Sequence, residues 1–521
     1  MTTLPPFSLR DTAGAPRAFP TAWPALLCFV KEDCPTCGLS MPLIEAAHRS
    51  FGSAVDVWAI AQDGDGGVAM ATRHQLTVPV LDDSALRVSH AFDLDTVPTI
   101  VVADAGGLQL QHFVGFGKQD WQGVLAILGR LADTTVPAID WTSYPDTRPG
   151  CGSKSVEPGI AERLAAEAVG SPLRARRIEI ADRDDPFEWM FDSGVTDGLP
   201  VIPPTPERVL RMLSATRRNA QDVVATVPPN MAPATLEKIA INAVMAGCRP
   251  EYLPVVIAAV EAVCTDEFNV HGVLATTHFP TPVLIVNGPI RDRIGMNYRV
   301  NALGQGNRAN ATIGRAVQLV IRNVGGGRPG EIDRATLGQP GKYTLCFAEY
   351  EERSNWEPLH VERGFRREDS TVTVFAGGAP TGFVDQLSRD AKSLATSYAL
   401  ALAAVSHPKH PFYGEIVVVV PPEHVDTFAK DGWSKDHIRE QIQQVTTRPV
   451  RDFVRDAACA EGIPQAMAEA LGLDTPLPKF QSKDMIKLVV AGGEAGKFGA
   501  YLQGWVSGPM GSSMVTRKIE E

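Results

Sequence analysis

Ala25-Leu-Leu-Cys-Phe-Val30-Lys-Glu-Asp-Cys34-Pro-Thr-Cys37-Gly-Leu-Ser-Met-Pro-Leu-Ile44 is the stretch that decides how the first part of this 521-residue chain is read. The apolar run Ala25–Val30 predicts a short buried strand. Leu39 to Phe51 predicts a helix. Between them lies a Cys-x-x-Cys pair, and that position has a chemical purpose. A Cys at a helix N-terminus faces free backbone N–H groups and the positive end of the dipole, which favour the thiolate. A second Cys one turn later is close enough to resolve a mixed disulfide. Lys31 adds positive potential nearby. The same pair could also be half of a zinc site or two buried core thiols. Zinc would need a second ligand pair, and the sequence has no other CxxC and no HxxxH. The dipole weakens within the first turn. Cys34 is therefore expected to be the more exposed and more acidic thiol, and Cys37 to face the core.

Outward from this stretch, Val55–Ala61 reads as a strand and Val78–Leu81 as a short extended piece. Thr99–Ala103 and Leu108–Val114 form a hairpin across Asp104-Ala-Gly-Gly107, and Trp121–Leu131 closes the unit as a helix. Strand–helix alternation ending this way predicts an α/β sandwich. Thr96-Val-Pro-Thr99, together with the CxxC before it and the hairpin and helix after it, resembles the thioredoxin family over residues 1–132. That resemblance implies that Cys34 is the attacking thiolate, Cys37 the resolving thiol, and Pro98 a cis-proline contacting the partner. Cys-Pro-Thr-Cys stands where the family commonly has Cys-Gly-Pro-Cys, which leaves both the reductase and the oxidase direction open.

Residues 133–159 read as a linker. Pro137, Pro145, Pro149 and Pro158, with Gly150 and Gly152, suggest an extended tether long enough to let one domain swing to the other. It carries Cys151-Gly-Ser-Lys154, and from bare sequence Cys151 is an exposed linker thiol. From here on, the chain resembles an uncharacterised family named for a UGSC motif, whose first residue can be selenocysteine. The resemblance rests on Cys151-Gly-Ser-Lys154, Thr196-Asp-Gly-Leu-Pro-Val-Ile-Pro-Pro-Thr-Pro-Glu-Arg208 and Ala240-Ile-Asn-Ala-Val-Met-Ala-Gly-Cys248. It also rests on Asn301-Ala-Leu-Gly-Gln-Gly-Asn-Arg308 and Trp356-Glu-Pro-Leu-His360. It implies that Cys151 occupies the selenocysteine position, with Lys154 in place of the family's final Cys. An active Cys151 would need a dithiol to reset it, which a fused thioredoxin-like unit supplies at high local concentration.

Residues 160–222 read as a small unit, with a helix at Ile160–Val169, a strand at Leu173–Ile180, and Thr205 and Pro206 opening a further helix. Residues 223–521 read as a large α/β domain. Its helices include Thr235–Met245 and Ala309–Val324, and its strands include Val283–Asn287, Ser370–Ala376, Glu415–Val420 and Met485–Ala491. Asn307, Arg308 and Arg315 at a helix start suggest a site for an anion. Gly492, Gly493 and Gly496 form a second candidate ligand loop, expected to share a pocket with Ser512. The loop lacks the first Gly and the Ser/Thr of a Walker motif. Cys248, or Cys346 with His360 and neighbouring carboxylates, could be a catalytic thiol or a metal ligand. His271 and His278 are a weaker ligand pair, and His407 and His410 read as surface residues.

The composition bounds the function. Charged residues sum to −11 with no basic stripe, so a nucleic-acid partner is not expected. No apolar run approaches the roughly 20 residues of a membrane helix, and Met1–Phe7 has no signal-peptide pattern. Eight Cys are too sparse for a disulfide framework, which points to the cytoplasm. The expectation is a thiol-dependent oxidoreductase whose redox-active disulfide acts on a small, anionic substrate. An external thiol reductant or thioredoxin system would be its partner, and a bound metal ion and a homo-oligomer stay open. The alternatives are a carbon–sulfur lyase or sulfur-transfer enzyme using a large-domain Cys, and a non-enzymatic redox sensor or metal-binding protein.

Overall fold

The computed structural model describes residues 2–157, 160–168, 170–181 and 183–520. The chain divides into two compact units, Met1–Ile178 and Glu179–Glu521. Both are α/β: a smaller unit with a five-stranded sheet comes first and a larger unit with a seven-stranded sheet follows.

The first unit is built on a five-stranded sheet with Ala25–Val30 at its centre. This strand runs parallel to Asp56–Ala61 on one side and antiparallel to Thr99–Ala103 on the other. Val80–Asp82 and Gln109–Val114 complete the two edges. All six residues of Ala25–Val30 are buried, because helices cover both faces of the sheet. The Pro35–Phe51 helix packs Met41, Ile44 and Phe51 into this core, and the Lys118–Leu131 helix adds Trp121, Val124 and Leu128.

The expected linker is where the structure departs most from the sequence reading. Trp141–Val156 is not a free tether but lies folded on the first unit. Tyr144 stacks on Phe116 with ring centres 5.6 Å apart. Thr147–Arg148 pairs antiparallel with Phe116–Gly117, and Cys151–Gly152 pairs with Thr96–Val97. Prolines hold neighbouring backbone extended, which suits a tether and equally suits an edge strand. The Ile160–Ala168 helix also belongs to the first unit, with Arg87 paired to Glu167 at 3.0 Å. The division therefore falls after Ile178, rather than at the ends of a 133–159 linker. Val169, expected as the end of that helix, lies outside the described residues. Leu173–Ile180 forms no strand; Leu173 alone of it is buried, and residues 176–179 are exposed.

The second unit carries a seven-stranded mixed sheet. Its order is Cys346–Ala348, Thr281–Asn287, Thr371–Val384, Phe498–Gly504, Ile416–Val420, Ile486–Val490, with Val515–Lys518 on the long Thr371–Val384 strand. Ile416–Val420 shows why that run is wholly apolar. Ile416, Val418 and Val420 pack against Leu394, Tyr398 and Phe428, whereas Val417 and Val419 join Val283, Phe347 and Leu502 on the other face. Arg308–Asn323 is a helix capped by Asn307, whose side chain accepts from the Asn310 N–H at 3.0 Å. Among the described residues, no helix is long and apolar enough to cross a membrane.

Candidate active site

The central strand Ala25–Val30 ends beside the start of the Pro35–Phe51 helix, and Cys34 is that helix's N-cap. The Cys37 backbone N–H donates to Cys34 Sγ at 3.3 Å, and Pro35 takes the first helical position, where no donor is needed. Cys37 also donates from its thiol. Together with the Cys151 thiol and the backbone N–H groups of Cys37 and Thr36, it draws the Cys34 thiol down to about 5, against the opposing effect of burial. Burial and the Cys34 thiolate push Cys37 far up. The two thiols of the pair are thus moved in opposite directions by their surroundings. Lys31 sits 3.4 Å from Asp33 and is not among the larger influences on Cys34.

Cys34 also faces the segment before Pro98. Its Sγ lies 3.6 Å from the Val97 carbonyl oxygen, and the Val97–Pro98 bond is cis. The expected exposure of Cys34 is corrected here. It is 2% exposed, hardly more than Cys37 at 0%, because the Cys151–Gly152 strand covers it. Cys151 is half-buried, and its thiol is raised first by the hydrogen bond it shares with Cys34. The structure therefore brings Cys34, Cys37, Pro98 and Cys151 to one place.

Residues to which the sequence assigned no part in this site hold that place together. Thr36 Oγ1 donates to the Pro149 carbonyl at 2.8 Å. Gln62 donates to Ser153 Oγ at 2.7 Å and accepts from the Lys154 N–H at 3.0 Å, while Lys154 pairs with Asp63. Gly150 lies so close to the Thr96–Val97 strand that a Cβ there would stand 2.6 Å from the Val97 oxygen. The Pro149-Gly-Cys-Gly152 run was the one available signal of such an approach.

The solved structures named below each cover about a quarter of this chain or less. No family model matches the chain, and no curated protein matches it. Among solved structures, a secreted Mycobacterium tuberculosis disulfide oxidoreductase homologous to E. coli DsbE is similar at 20% identity. The match covers 23% of this chain and 95% of that one, with a TM-score of 0.21. The thioredoxin domain of a thiol-disulfide oxidoreductase from Bacteroides vulgatus is 13% identical over 24% of this chain and 96% of its own, with a TM-score of 0.23. StoA from Bacillus subtilis is 19% identical over 21% and 88%, with a TM-score of 0.20.

The candidates of the second unit separate. A cavity of about 850 Å³ is lined by Asn301, Gln305, Cys346, Gly492, Gly493 and Gly496, among others, and no charged side chain lines it among the described residues. Ser512 does not line it, which corrects the expected shared pocket. Ser512 is buried elsewhere, its N–H donating to the Val506 carbonyl at 2.7 Å. Arg315 is spent on Asp197, with two hydrogen bonds of 2.7 and 2.8 Å, and Asn307 on its cap. Arg308 instead lines a cleft of about 190 Å³ beside Cys248, together with Arg208 and Arg211.

The Cys248 thiol donates to the Thr312 carbonyl at 3.3 Å, and burial pushes it up to about 12. Burial raises Cys346 further. His360 is fully buried, 3.3 Å from the Arg367 carbonyl, and does not line the cavity with Cys346. His278 meets Gln503, and His410 meets Glu461. Among the described residues, no group of three or more His, Cys, Asp or Glu is placed to hold a metal ion.

Proposed function

We propose that the first unit is a thiol–disulfide exchange enzyme in which Cys34 attacks and Cys37 resolves. The observation that carries this reading is Cys34 Sγ at a helix N-terminus, accepting from the Cys37 backbone N–H at 3.3 Å in a position that favours the thiolate. The Cys34 thiolate attacks one sulfur of a partner disulfide, that S–S bond breaks, and one partner thiol leaves. Cys37 then attacks Cys34 Sγ, releasing the second partner thiol and closing Cys34–Cys37, so that two electrons have passed to the partner. The reverse sequence oxidises a dithiol. A stabilised thiolate favours the reduced form, so the Cys34–Cys37 disulfide is an oxidant towards thiols of ordinary acidity.

Two finer statements belong to the same reading. The arginine cleft beside Cys248 is the place for a small anionic ligand, supported by the convergence of Arg208, Arg211 and Arg308. UGSC-type kinship from Cys151 onward is supported by the quoted motifs and by the position of Cys151 at the exchange centre. A large-domain catalytic thiol is disfavoured, because Cys248 and Cys346 stay protonated near neutral pH.

The test is equilibration of the full chain in glutathione buffers of graded potential, with free thiols alkylated and mapped. The expected result is a Cys34–Cys37 disulfide with a potential less negative than the roughly −270 mV of thioredoxin. Failure of Cys34 and Cys37 to pair at any ratio overturns the reading.

A further inference from the structure

The segment Trp141–Val156 was expected to be a tether and is instead seated at the exchange centre. Its pinning is distributed along its length. Tyr144 stacks on Phe116, Thr147 and Arg148 pair with Gly117 and Phe116, and Pro149 accepts from Thr36 within the CxxC turn. Cys151 and Gly152 then add a short antiparallel strand to Val97 and Thr96, and the Ser153 N–H donates to the Asp95 carbonyl at 2.9 Å. Two glycines permit the approach. A Cβ on Gly115 would stand 2.8 Å from the Arg148 oxygen, and one on Gly150 would stand 2.6 Å from the Val97 oxygen. Strand addition to an exposed edge is a general way for an extended peptide to be recognised. Here the chain occupies its own edge, and the residue it delivers is a cysteine paired with Val97, the residue whose carbonyl oxygen lies 3.6 Å from Cys34 Sγ.

We propose that Cys151 is a third exchange thiol of the Cys34–Cys37 centre, and that the strap carrying it is a built-in partner strand which outside partners must displace. This inference rests on the exchange reading of Cys34 and Cys37. Starting from the Cys34–Cys37 disulfide, the Cys151 thiolate attacks Cys34 Sγ. The Cys34–Sγ to Cys37–Sγ bond breaks as the Cys34–Cys151 bond forms, and Cys37 leaves as a thiolate that takes up the proton Cys151 lost. No electrons are gained or lost. The two-electron-oxidised protein therefore has two isomeric disulfides, and attack by Cys37 on Cys34 Sγ restores the first. While Cys34 is bonded to Cys151 the edge strand stays covered, and an outside thiol meets neither a free edge nor an open Cys34.

The experiment uses the full chain with Cys37→Ser and oxidised glutathione as the disulfide. Cys34 attacks glutathione disulfide, one glutathione leaves, and Cys151 displaces the second. After acid quenching, alkylation and proteolysis, the expected product is a Cys34–Cys151 linked peptide in most molecules, with little retained glutathione. Glutathione retained on Cys34 with Cys151 fully alkylated overturns the inference. Wild-type protein treated in parallel separates the two claims: if it forms Cys34–Cys37, the exchange reading stands whatever Cys151 does, and if Cys34 reacts with nothing, that reading fails. In a Cys37→Ser background, Gly150→Val should lift the strap and cut the linked peptide at least fivefold. Cys151→Ser, which keeps the backbone pairing, should abolish it. Gly150→Val in otherwise wild-type protein should still form Cys34–Cys37 and should label faster at Cys34 with iodoacetamide. An unchanged labelling rate would show that the strap is no barrier and overturn the displacement claim.

Discussion

Cys34 and Cys346 are almost equally hidden from solvent, at 2% and 5% exposure, yet their thiols move in opposite directions. Cys346, on a strand of the second unit, has burial as the largest influence on it and is held protonated. Cys34, at a helix start in the first unit, has donors aimed at its sulfur: the Cys37 thiol and N–H, the Thr36 N–H and the Cys151 thiol. Burial disfavours a charge wherever it acts, and hydrogen bonds to the charged form reverse that only where the fold supplies them. A count of buried cysteines would have treated the two alike. The helix start alone is not sufficient either. Asn307 caps the Arg308–Asn323 helix as Cys34 caps Pro35–Phe51, but an amide oxygen in that position stabilises the helix and carries out no exchange.

The largest expected effect tests which thiol reacts. Cys34→Ser should lower the rate of small-disulfide reduction by on the order of a thousandfold, whereas Cys264→Ser, at another thiol raised by burial, should stay within about twofold. Comparable losses in both would break the comparison. Next comes the independence of the two environments. Phe428→Ala, in the second unit's core, should cost that unit about 3–5 kcal/mol in denaturant unfolding. Cys34 alkylation in the remaining folded protein should be unaltered, and a change there would mean the thiol environments are not separate.

The pH profile follows in size. Alkylation of Cys34 in reduced protein should rise to a plateau with a midpoint near 5. Native Cys248 should become reactive only towards 12. A more basic thiolate is intrinsically the better nucleophile, so the rate ratio at neutral pH shrinks to about a hundredfold. The sign for stability is that of a depressed pKa. The contribution from the Cys34 thiolate is fully present above the ordinary thiol pKa and is lost as pH falls through about 5. The melting-temperature gap between reduced wild type and Cys34→Ser should therefore close on acidification, and a gap that widens would mean the sign is wrong. The smallest effect sharpens the contrast of caps. Asn307→Ala should cost about 1 kcal/mol, with disulfide reduction unaffected. A loss of activity there would give the second cap a chemical role it has not been assigned.

The Cys34–Cys37 pair at its helix start was legible because its parts are local. An apolar strand, a two-residue spacing and a helix start lie within a single stretch, and hydrogen bonds from N–H groups three residues on need no distant partner. The five strands of the first unit and the apolar runs of the second were legible for a similar reason, since period and composition report burial directly. The strap was misread as a tether because proline and glycine describe backbone freedom, not whether an edge strand lies beside it. Arg315 of the second unit was misassigned because a helical face says nothing about Asp197, which lies on another segment.

By itself, the sequence determined that a dithiol stands at a helix N-terminus in an α/β unit and that a larger apolar-cored unit follows, because those properties arise from neighbours along the chain. Only the tertiary structure decided that Cys34 is covered and that Cys151 covers it. The bond between Thr36 and Pro149 joins residues 113 positions apart. The Cys151–Val97 pairing likewise depends on the folded sheet leaving one backbone edge open, with two glycines where the chain has to pass closest to it.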